Sequence, residues 1–386
     1  MTISALAAGI CLTSAGLHGL SAALAARRCR RRAGPPIAPP KDAPSVTIVQ
    51  PLCGVETFSR ETLRSIFALD YPSYEIIFCL ASGDDPIAPL ARAAIAANPD
   101  RPARLLIGDD RISANPKLNN VVKGWKAARH EWVIIADSNV LMPPDYIQRL
   151  LARWRPGAGI VCAPPIGARP ESFAAEIECA FLNTYQARWQ YAGDSTGYGF
   201  AQGKTMLWRK ETLEKGGGIE ALGAEIAEDA AATKLVRAQG LNAHLVDRPF
   251  QQPLGQRRLK DVWSRQLRWA RLRRATFPLC FAPEILTTSL LTLAAAGLAA
   301  PVLGVSAALA VAVAAAFWYG SEALLAFAAG WPLSWRMPFA WVIRDLLLPF
   351  LWARGWTGAN VVWRGNAINV EERPFGEAES EPRPQI

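Results

Sequence analysis

The chain has 386 residues, is 51% hydrophobic and carries a formal net charge of +9. This length allows one large or two medium domains, and the positive charge indicates an anionic partner, such as a membrane surface or a phosphorylated ligand. The seven cysteines form no Cys-x-x-Cys pair and there are only three histidines, a composition that argues against a zinc site and a disulfide scaffold.

The amino-terminal stretch is almost entirely apolar or small over residues 2–26, and an arginine-rich run, Arg27 to Arg32, follows it directly. About 20 apolar residues suffice to cross a bilayer as a helix. Because the arginines follow the apolar stretch, the positive-inside rule places the amino terminus outside and the bulk of the chain in the cytoplasm. We therefore predict a transmembrane anchor over residues 1–26 and a basic, proline-rich linker over residues 27–45.

The next part of the chain alternates strand-like and helix-like stretches. This pattern predicts an α/β domain over residues 46–258, the candidate catalytic domain. Helices of about ten residues between strands favour parallel pairing with right-handed crossovers. In such sheets ligands bind beyond the carboxyl ends of the strands. The predicted strands are residues 46–49, 75–80, 104–107 and 132–136, and the predicted helices are residues 61–69, 88–97 and 118–128.

Two acids fall at such strand ends: Asp85 and Asp137. Carboxylates at a sheet edge can hold magnesium or manganese on a nucleotide diphosphate. An equally open interpretation is two unrelated turns, each of which uses Asp for hydrogen bonds to the backbone. The Gly203-Lys204 pair lacks the upstream glycine of a phosphate-binding Walker loop, because Tyr198 stands in its place.

The carboxyl-terminal part is basic and aromatic at first and then strongly apolar. We predict a basic amphipathic interfacial helix over residues 259–282, a transmembrane region over residues 283–356 and a polar tail over residues 357–386. The adjacent Arg344 and Asp345 are costly inside a bilayer, so a third crossing and an interfacial segment both stay open for residues 339–352.

A set of motifs resembles the membrane-bound inverting glycosyltransferases, and within them the ceramide glucosyltransferases. The resemblance runs from about Val46 to Arg364 and includes "NPKLNN" at residues 115–120. The ordered motif residues are Asp85, Asp137, Asp229 and Arg265-Gln266-Leu267-Arg268-Trp269. The family implies a GT-A-type nucleotide-sugar-binding α/β sheet with helices on both faces, flanked by amino- and carboxyl-terminal transmembrane helices.

The resemblance also implies roles for these residues in sugar transfer from a UDP-sugar. Asp85 is expected to bind the uracil or ribose, and Asp137 the divalent cation, magnesium or manganese. Asp229 is the candidate general base. Asn139 stands where many sugar-nucleotide transferases have a second acid. The ceramide glucosyltransferase branch also lacks that acid. The other expected donor-binding residues are Lys117, Arg265, Arg268 and Trp269. For Lys117, a solvated lysine at the start of a helix is an equal alternative.

The function that this resemblance implies is transfer of a sugar, glucose before others, to the hydroxyl of ceramide or diacylglycerol with inversion, giving a β-glycolipid. The expected enzyme is a hexosyltransferase in the inner (plasma) membrane, multi-pass, with its catalytic domain cytoplasmic. Its partners are a UDP-sugar, a membrane lipid and the bilayer, with no nucleic acid. The alternatives are transfer of N-acetylglucosamine from its UDP derivative to a hopanoid polyol and a non-catalytic membrane scaffold.

Overall fold

The computed structural model describes residues 3–31, 35–363 and 366–370. The chain forms two compact units, each assembled from separate stretches of sequence. The sheet unit comprises the described residues of Pro35–Pro164, Phe200–Val246 and Ala359–Ile386. The helical unit comprises the described residues of Met1–Gly34, Pro165–Gly199 and Asp247–Gly358.

The described residues form the following strands and helices. The strands are β1 (Val46–Pro51), β2 (Tyr74–Leu80), β3 (Ala103–Ile107), β4 (Trp132–Ala136), β5 (Ala158–Ala163), β6 (Ile166–Pro170), β7 (Thr205–Arg209), β8 (Asn242–Leu245), β9 (Gln251–Gly255), β10 (Asn360–Trp363) and β11 (Asn366–Asn369). The helices are α1 (Ile3–Cys29), α2 (Ser59–Ser65), α3 (Ala88–Ala96), α4 (Pro116–Ala127), α5 (Tyr146–Leu151), α6 (Phe173–Cys179), α7 (Arg188–Ser195), α8 (Lys210–Lys215), α9 (Glu228–Ala238), α10 (Leu259–Thr276), α11 (Pro278–Phe281), α12 (Ser289–Leu303), α13 (Ala307–Ala329) and α14 (Met337–Trp356). Segments of 3₁₀ or π helix follow α2, α6, α8 and α11.

The sheet unit is built on a seven-stranded sheet with the order β3-β2-β1-β4-β7-β5-β8. The first four strands of the chain pair in parallel, which confirms the predicted arrangement. Strands β1, β2 and β5 are buried along their whole length, as is typical of sheets covered on both faces. Strand β7 runs antiparallel to both β4 and β5, so the sheet is mixed.

Helix α4 packs closely against this sheet. This packing determines the position of the first residues of the helix. A side chain on Gly124 would place its Cβ 2.5 Å from the Val49 side chain and 2.6 Å from Cys79 Sγ. The helix begins with Asn115 as its N-cap and Pro116 in the first position, both of which favour a helix start. Glycine at residue 124 therefore allows the close approach that places the amino end of α4 at the edge of the sheet.

The helical unit contains the predicted membrane segments. Helices α1 and α13 are each long and apolar enough to span a bilayer, and a bent pair, Pro278–Thr287 with Ser289–Leu303, passes the same test with a 47° bend. Helix α1 continues through the first two arginines of the basic run and ends at Cys29. These helices are compatible with a membrane protein of two or three spans.

The charged residues inside the carboxyl-terminal apolar runs satisfy one another. The Arg344 guanidinium lies 2.8 Å from a carboxylate oxygen of Glu322 and 2.8 Å from one of Asp345, and it also donates to the Thr184 hydroxyl. All three charged side chains are almost completely buried. Burial with full pairing is the arrangement in which ionisable groups persist at membrane depth.

The two units divide the chain differently from the predicted domains. Residues 165–199 lie within the predicted catalytic segment 46–258, but they pack with the helical unit. They include a π-helical stretch over Ala180–Ala187. The part of the predicted polar tail beyond residue 370 lies outside the described residues.

Candidate active site

Asp137 lies immediately beyond the carboxyl end of β4, as the sequence predicts. Its backbone N–H donates to the Lys204 carbonyl oxygen at 3.0 Å, where β7 begins beside β4. Its carboxylate binds two ammonium groups: Oδ1 lies 2.7 Å from Lys117 Nζ and Oδ2 lies 2.8 Å from Lys204 Nζ. Burial raises the pKa of a carboxyl group, but these two lysines outweigh it and hold the pKa of Asp137 well below its usual range.

Lys117 is a member of a buried charge cluster rather than a solvated helix-start residue. Its side chain is 12% exposed, and Nζ lies 2.6 Å from Glu228 Oε1 as well as 2.7 Å from Asp137 Oδ1. It also donates to the Gly203 carbonyl oxygen. Although burial lowers the pKa of an ammonium group, the two carboxylates raise that of Lys117 above its usual value. A cation at a helix amino terminus opposes the helix dipole, and here the acids compensate for it.

Asn115 joins this cluster to the start of α9. Its side-chain oxygen caps α4 by accepting from the backbone N–H groups of Lys117 and Leu118. Its amide nitrogen donates to Glu228 Oε2 at 2.7 Å and to the Ile226 carbonyl oxygen at 3.0 Å. The "NPK" triplet thus orients both Lys117 and Glu228.

Asp229, the candidate base, lies in the first turn of α9, where the helix dipole favours an acid. Its Oδ2 accepts the Gly203 N–H at 3.0 Å. Burial and the neighbouring Glu228 carboxylate raise the pKa of Asp229 to about 6, against the lowering effects of Lys117 and of backbone N–H groups. A carboxylate whose pKa is raised toward the working pH is suited to accept a proton.

Gly203 is required by close packing around these acids. A Cβ at this position would lie 2.8 Å from Glu228 Oε1 and 3.4 Å from both Asp229 Oδ2 and Lys117 Nζ. Any side chain there would displace charged groups that have well-defined partners. Gly203 and Lys204 were not predicted as site residues; their only signal in the sequence is a Gly-Lys pair directly before a strand.

Asp85 follows β2, and its carboxylate accepts hydrogen bonds from backbone N–H groups. Both carboxylate oxygens accept the Gly54 N–H, at 2.9 and 3.1 Å, and Oδ1 also accepts the Ile87 N–H at 3.0 Å. The turn function that the sequence left open for this acid is therefore present. The carboxylate joins the loop after β1 to the loop after β2.

The remaining predicted residues lie on α10 of the helical unit. Arg265 pairs with Glu178, whose side chain is 1% exposed, and its guanidinium lies 5.9 Å from the centre of the Trp269 ring. Between the two arginines of the motif, Gln266 is buried and accepts a hydrogen bond from Gln186 at 2.8 Å. Arg268 is half-buried.

The sheet unit thus brings together Asp137, Lys117 and Asp229, three of the four predicted residues that it contains. Glu228, Gly203 and Lys204 complete the cluster. The arrangement combines two ammonium groups, the Asp137 and Glu228 carboxylates that pair with them, and a half-buried acid of raised pKa at one end of a mixed α/β sheet. Such a site can accept a proton, and its ammonium groups can exchange a carboxylate partner for an anionic ligand.

Comparison with known proteins identifies the family. The model of Glycosyl transferase family 21 matches residues 5–375, nearly the whole chain. The chain belongs to glycosyltransferase family 21. This membership confirms the resemblance to the ceramide glucosyltransferases and the prediction of a glycosyltransferase.

Two relatives of this family member are from Caenorhabditis elegans. Ceramide glucosyltransferase 1 is 29% identical over 245 residues, which cover 63% of this chain and about half (52%) of the relative. Ceramide glucosyltransferase 3 is 23% identical over 334 residues, which cover 85% of this chain and 73% of the relative.

A solved structure supports the fold. The mannosyltransferase PcManGT from Pyrobaculum calidifontis, in complex with GDP-Man and Mn²⁺, superposes with a TM-score of 0.51 at 18% identity. The match covers 92% of this chain and 97% of that protein. The predicted GT-A class is therefore confirmed.

Proposed function

We propose that this family 21 enzyme transfers glucose from UDP-glucose to the hydroxyl of a membrane lipid, ceramide or diacylglycerol, with inversion. The ceramide glucosyltransferase relatives support the sugar and the acceptor class. The candidate membrane spans support a lipid acceptor, because an enzyme anchored in the bilayer meets its substrate without extracting it. Extraction would expose acyl chains at about 0.8 kcal/mol for each methylene.

The observation that carries this proposal is the pairing of Asp137 with Lys117 and Lys204 beside Asp229. A departing nucleoside diphosphate needs positive charge, and the two ammonium groups supply it. Asp229, with its pKa raised to about 6, accepts the proton of the attacking hydroxyl. The acceptor oxygen forms a bond to the anomeric carbon, while the bond from that carbon to the diphosphate oxygen breaks and its electron pair leaves with UDP.

The residues around Asp137 also fit a divalent cation. Asp137 Oδ2 and Asn139 Oδ1 converge on one ammonium nitrogen, Lys204 Nζ, at 2.8 and 3.0 Å. They therefore form an oxygen pair that already binds a cation. Among the described residues no three His, Cys, Asp or Glu side chains cluster as a metal site, but magnesium and manganese use one or two protein ligands together with phosphate oxygens. When bound, such an ion neutralises charge on the diphosphate.

Arg268 is the proposed diphosphate ligand of the Arg-x-x-Arg-Trp motif, on the strength of the family resemblance. Arg268→Lys keeps the charge but loses the planar fork that binds two oxygens. We expect transfer to fall about 10- to 100-fold, the loss of one hydrogen bond to a charged group. Initial rates in membranes over a range of UDP-glucose concentrations measure this effect.

The matched control for that substitution is Arg258→Lys, at the amino end of the same helix. Arg258 is exposed and its pair with Asp261 lies on the surface, where such pairs contribute little, so its replacement should leave the rate unchanged. Arg273 is less suitable, because its pair with Glu284, at 2.7 and 2.8 Å, is less exposed. Equal effects of Arg268→Lys and Arg258→Lys would show that the motif acts only through its charge.

The sheet unit is proposed to face the cytoplasm, because the arginine run follows the first apolar helix. Cys53 of the sheet unit is exposed and is a suitable reporter for labelling. Cys79 and Cys162 are completely buried and would not be labelled from either side of the membrane. A membrane-impermeant maleimide should label Cys53 in inside-out vesicles and not in intact cells. Labelling of Cys53 itself in intact cells would reverse the orientation.

Product analysis tests the function as a whole. Membranes that contain the full chain are incubated with labelled UDP-glucose, UDP-N-acetylglucosamine or GDP-mannose and with ceramide, diacylglycerol or a hopanoid polyol. Chromatography should reveal a glucosylated ceramide or diacylglycerol that membranes with Asp137→Ala do not form. A product formed only from UDP-N-acetylglucosamine and the hopanoid would support the alternative, and the absence of any lipid product would contradict transfer to lipids.

A further inference from the structure

The Lys204 ammonium group lies between two side-chain oxygens, those of Asp137 and Asn139, that would fit a divalent cation. Its Nζ donates to Asp137 Oδ2 at 2.8 Å and to Asn139 Oδ1 at 3.0 Å. Its backbone is fixed as well, because its carbonyl oxygen accepts the Asp137 N–H and β7 begins at the next residue. The ammonium group is thus held between the two oxygens that fit a metal.

The charge balance at this point opposes binding of a second cation. The side chains of Lys204 and Asp137 are 15% and 22% exposed, so solvent screens them only partly. Lys117 already binds the other Asp137 oxygen, and Asn139 contributes no charge. A divalent ion that approached Asp137 and Asn139 would meet the Lys204 ammonium in its own coordination position, where like charges repel strongly.

We propose that Lys204 is an internal cation that competes with the divalent ion for Asp137 and Asn139 and so makes metal binding depend on the arrival of the diphosphate. This inference rests on the proposed function. A diphosphate offers the ammonium group new oxygen partners, to which it can move in a charge-assisted hydrogen bond. The same diphosphate would supply further oxygen ligands to a divalent ion at this place. Before it arrives, Lys204 neutralises Asp137 and prevents this acid from repelling the incoming anion.

Manganese binding in the absence of any nucleotide tests this competition. Full-length protein in detergent is titrated with Mn²⁺, and free Mn²⁺ is measured by electron paramagnetic resonance. Wild type should bind weakly, and Lys204→Met should bind at least about tenfold more tightly, because the competing charge is gone. Lys204→Gln should do the same while its amide can still donate to Asp137, which favours a folded variant. Lys204→Arg, which keeps the charge, should remain weak.

Lys210→Met is the matched control, because Lys210 lies just beyond the other end of β7 and donates to the Ala128 carbonyl oxygen rather than to an acid of the site. It should bind Mn²⁺ as wild type does. Unchanged or weaker Mn²⁺ binding by folded Lys204→Gln, judged by circular dichroism, would overturn the competition. Since Mn²⁺ is the only probe, this result is independent of whether the proposed donor and acceptor are correct.

Discussion

Replacement of Asp229 by asparagine is expected to lower the rate of sugar transfer by about 10²- to 10⁴-fold, the usual contribution of a general base. The amide cannot accept the hydroxyl proton, but it can still accept the Gly203 N–H that positions the side chain. The effect should therefore fall on kcat, with little change in KM for the sugar nucleotide. Initial rates with the wild type and the variant measure it.

Glu225→Gln provides the control for Asp229→Asn. Glu225 lies shortly before α9 and pairs with Lys234 at the surface, so its neutralisation should leave the rate unchanged. Similar losses in both variants would mean that the net charge of this helix start matters, and not proton transfer by Asp229.

The pH profile gives an independent readout of the same residue. Because the base must be ionised and the pKa of Asp229 is about 6, the transfer rate of wild type should rise as the pH increases through about 6. The charged groups that face Asp229 are Glu228 on its own helix, which raises the pKa, and Lys117 from α4, which lowers it. Glu228→Gln should therefore move the rise to lower pH, and Asp229→Asn should abolish it.

Asp137→Ala should lower transfer by about 10²- to 10³-fold, comparable with the loss of one preorganised electrostatic contact in a transition state. The substitution removes the carboxylate that positions both ammonium groups. Lys117 retains Glu228 as a partner and Lys204 retains Asn139, so the protein should stay folded. Rates in membranes, together with thermal unfolding of purified protein, separate activity from stability.

The control for Asp137→Ala is Asp84→Ala, which removes an exposed acid from the loop after β2. This loop lies at the carboxyl end of a strand of the same sheet, so the two substitutions differ mainly in the contacts of the acid. Asp84→Ala should leave transfer within about twofold of wild type, as is usual for exposed positions. Near wild-type transfer by Asp137→Ala would remove this residue from the mechanism.

Local sequence patterns were sufficient to predict the parallel half of the sheet. The buried, β-branched stretches of β1, β2 and β4 and the helices between them each carry their own signal. The antiparallel insertion of β7 between β4 and β5 carries no such signal, because pairing between distant strands is decided by tertiary packing. The pairing of β6 with β9, some 80 residues apart, escaped prediction for the same reason.

The residues of the candidate site likewise differ in whether local sequence or tertiary packing determines their contacts. Asp137 and Asp229 could be predicted, because a strand end and a helix start are visible in the sequence and match the family motif. Lys204 could not, because its contact with Asp137 depends on the pairing of β7 with β4. The sequence alone leaves the role of Lys117 open, because its contacts with Asp137 and Glu228 depend on how α4 and α9 pack in the fold.

The anomeric configuration of the product tests whether transfer is a single displacement at the diphosphate-bearing carbon, with Asp229 as the base. Purified full-length protein is supplied with UDP-glucose, an α-linked donor, and the lipid that accepts the label, and the product is examined by proton nuclear magnetic resonance. We expect a β-linked glycolipid from the wild type and almost none from Asp229→Asn. An α-linked product would contradict a single displacement.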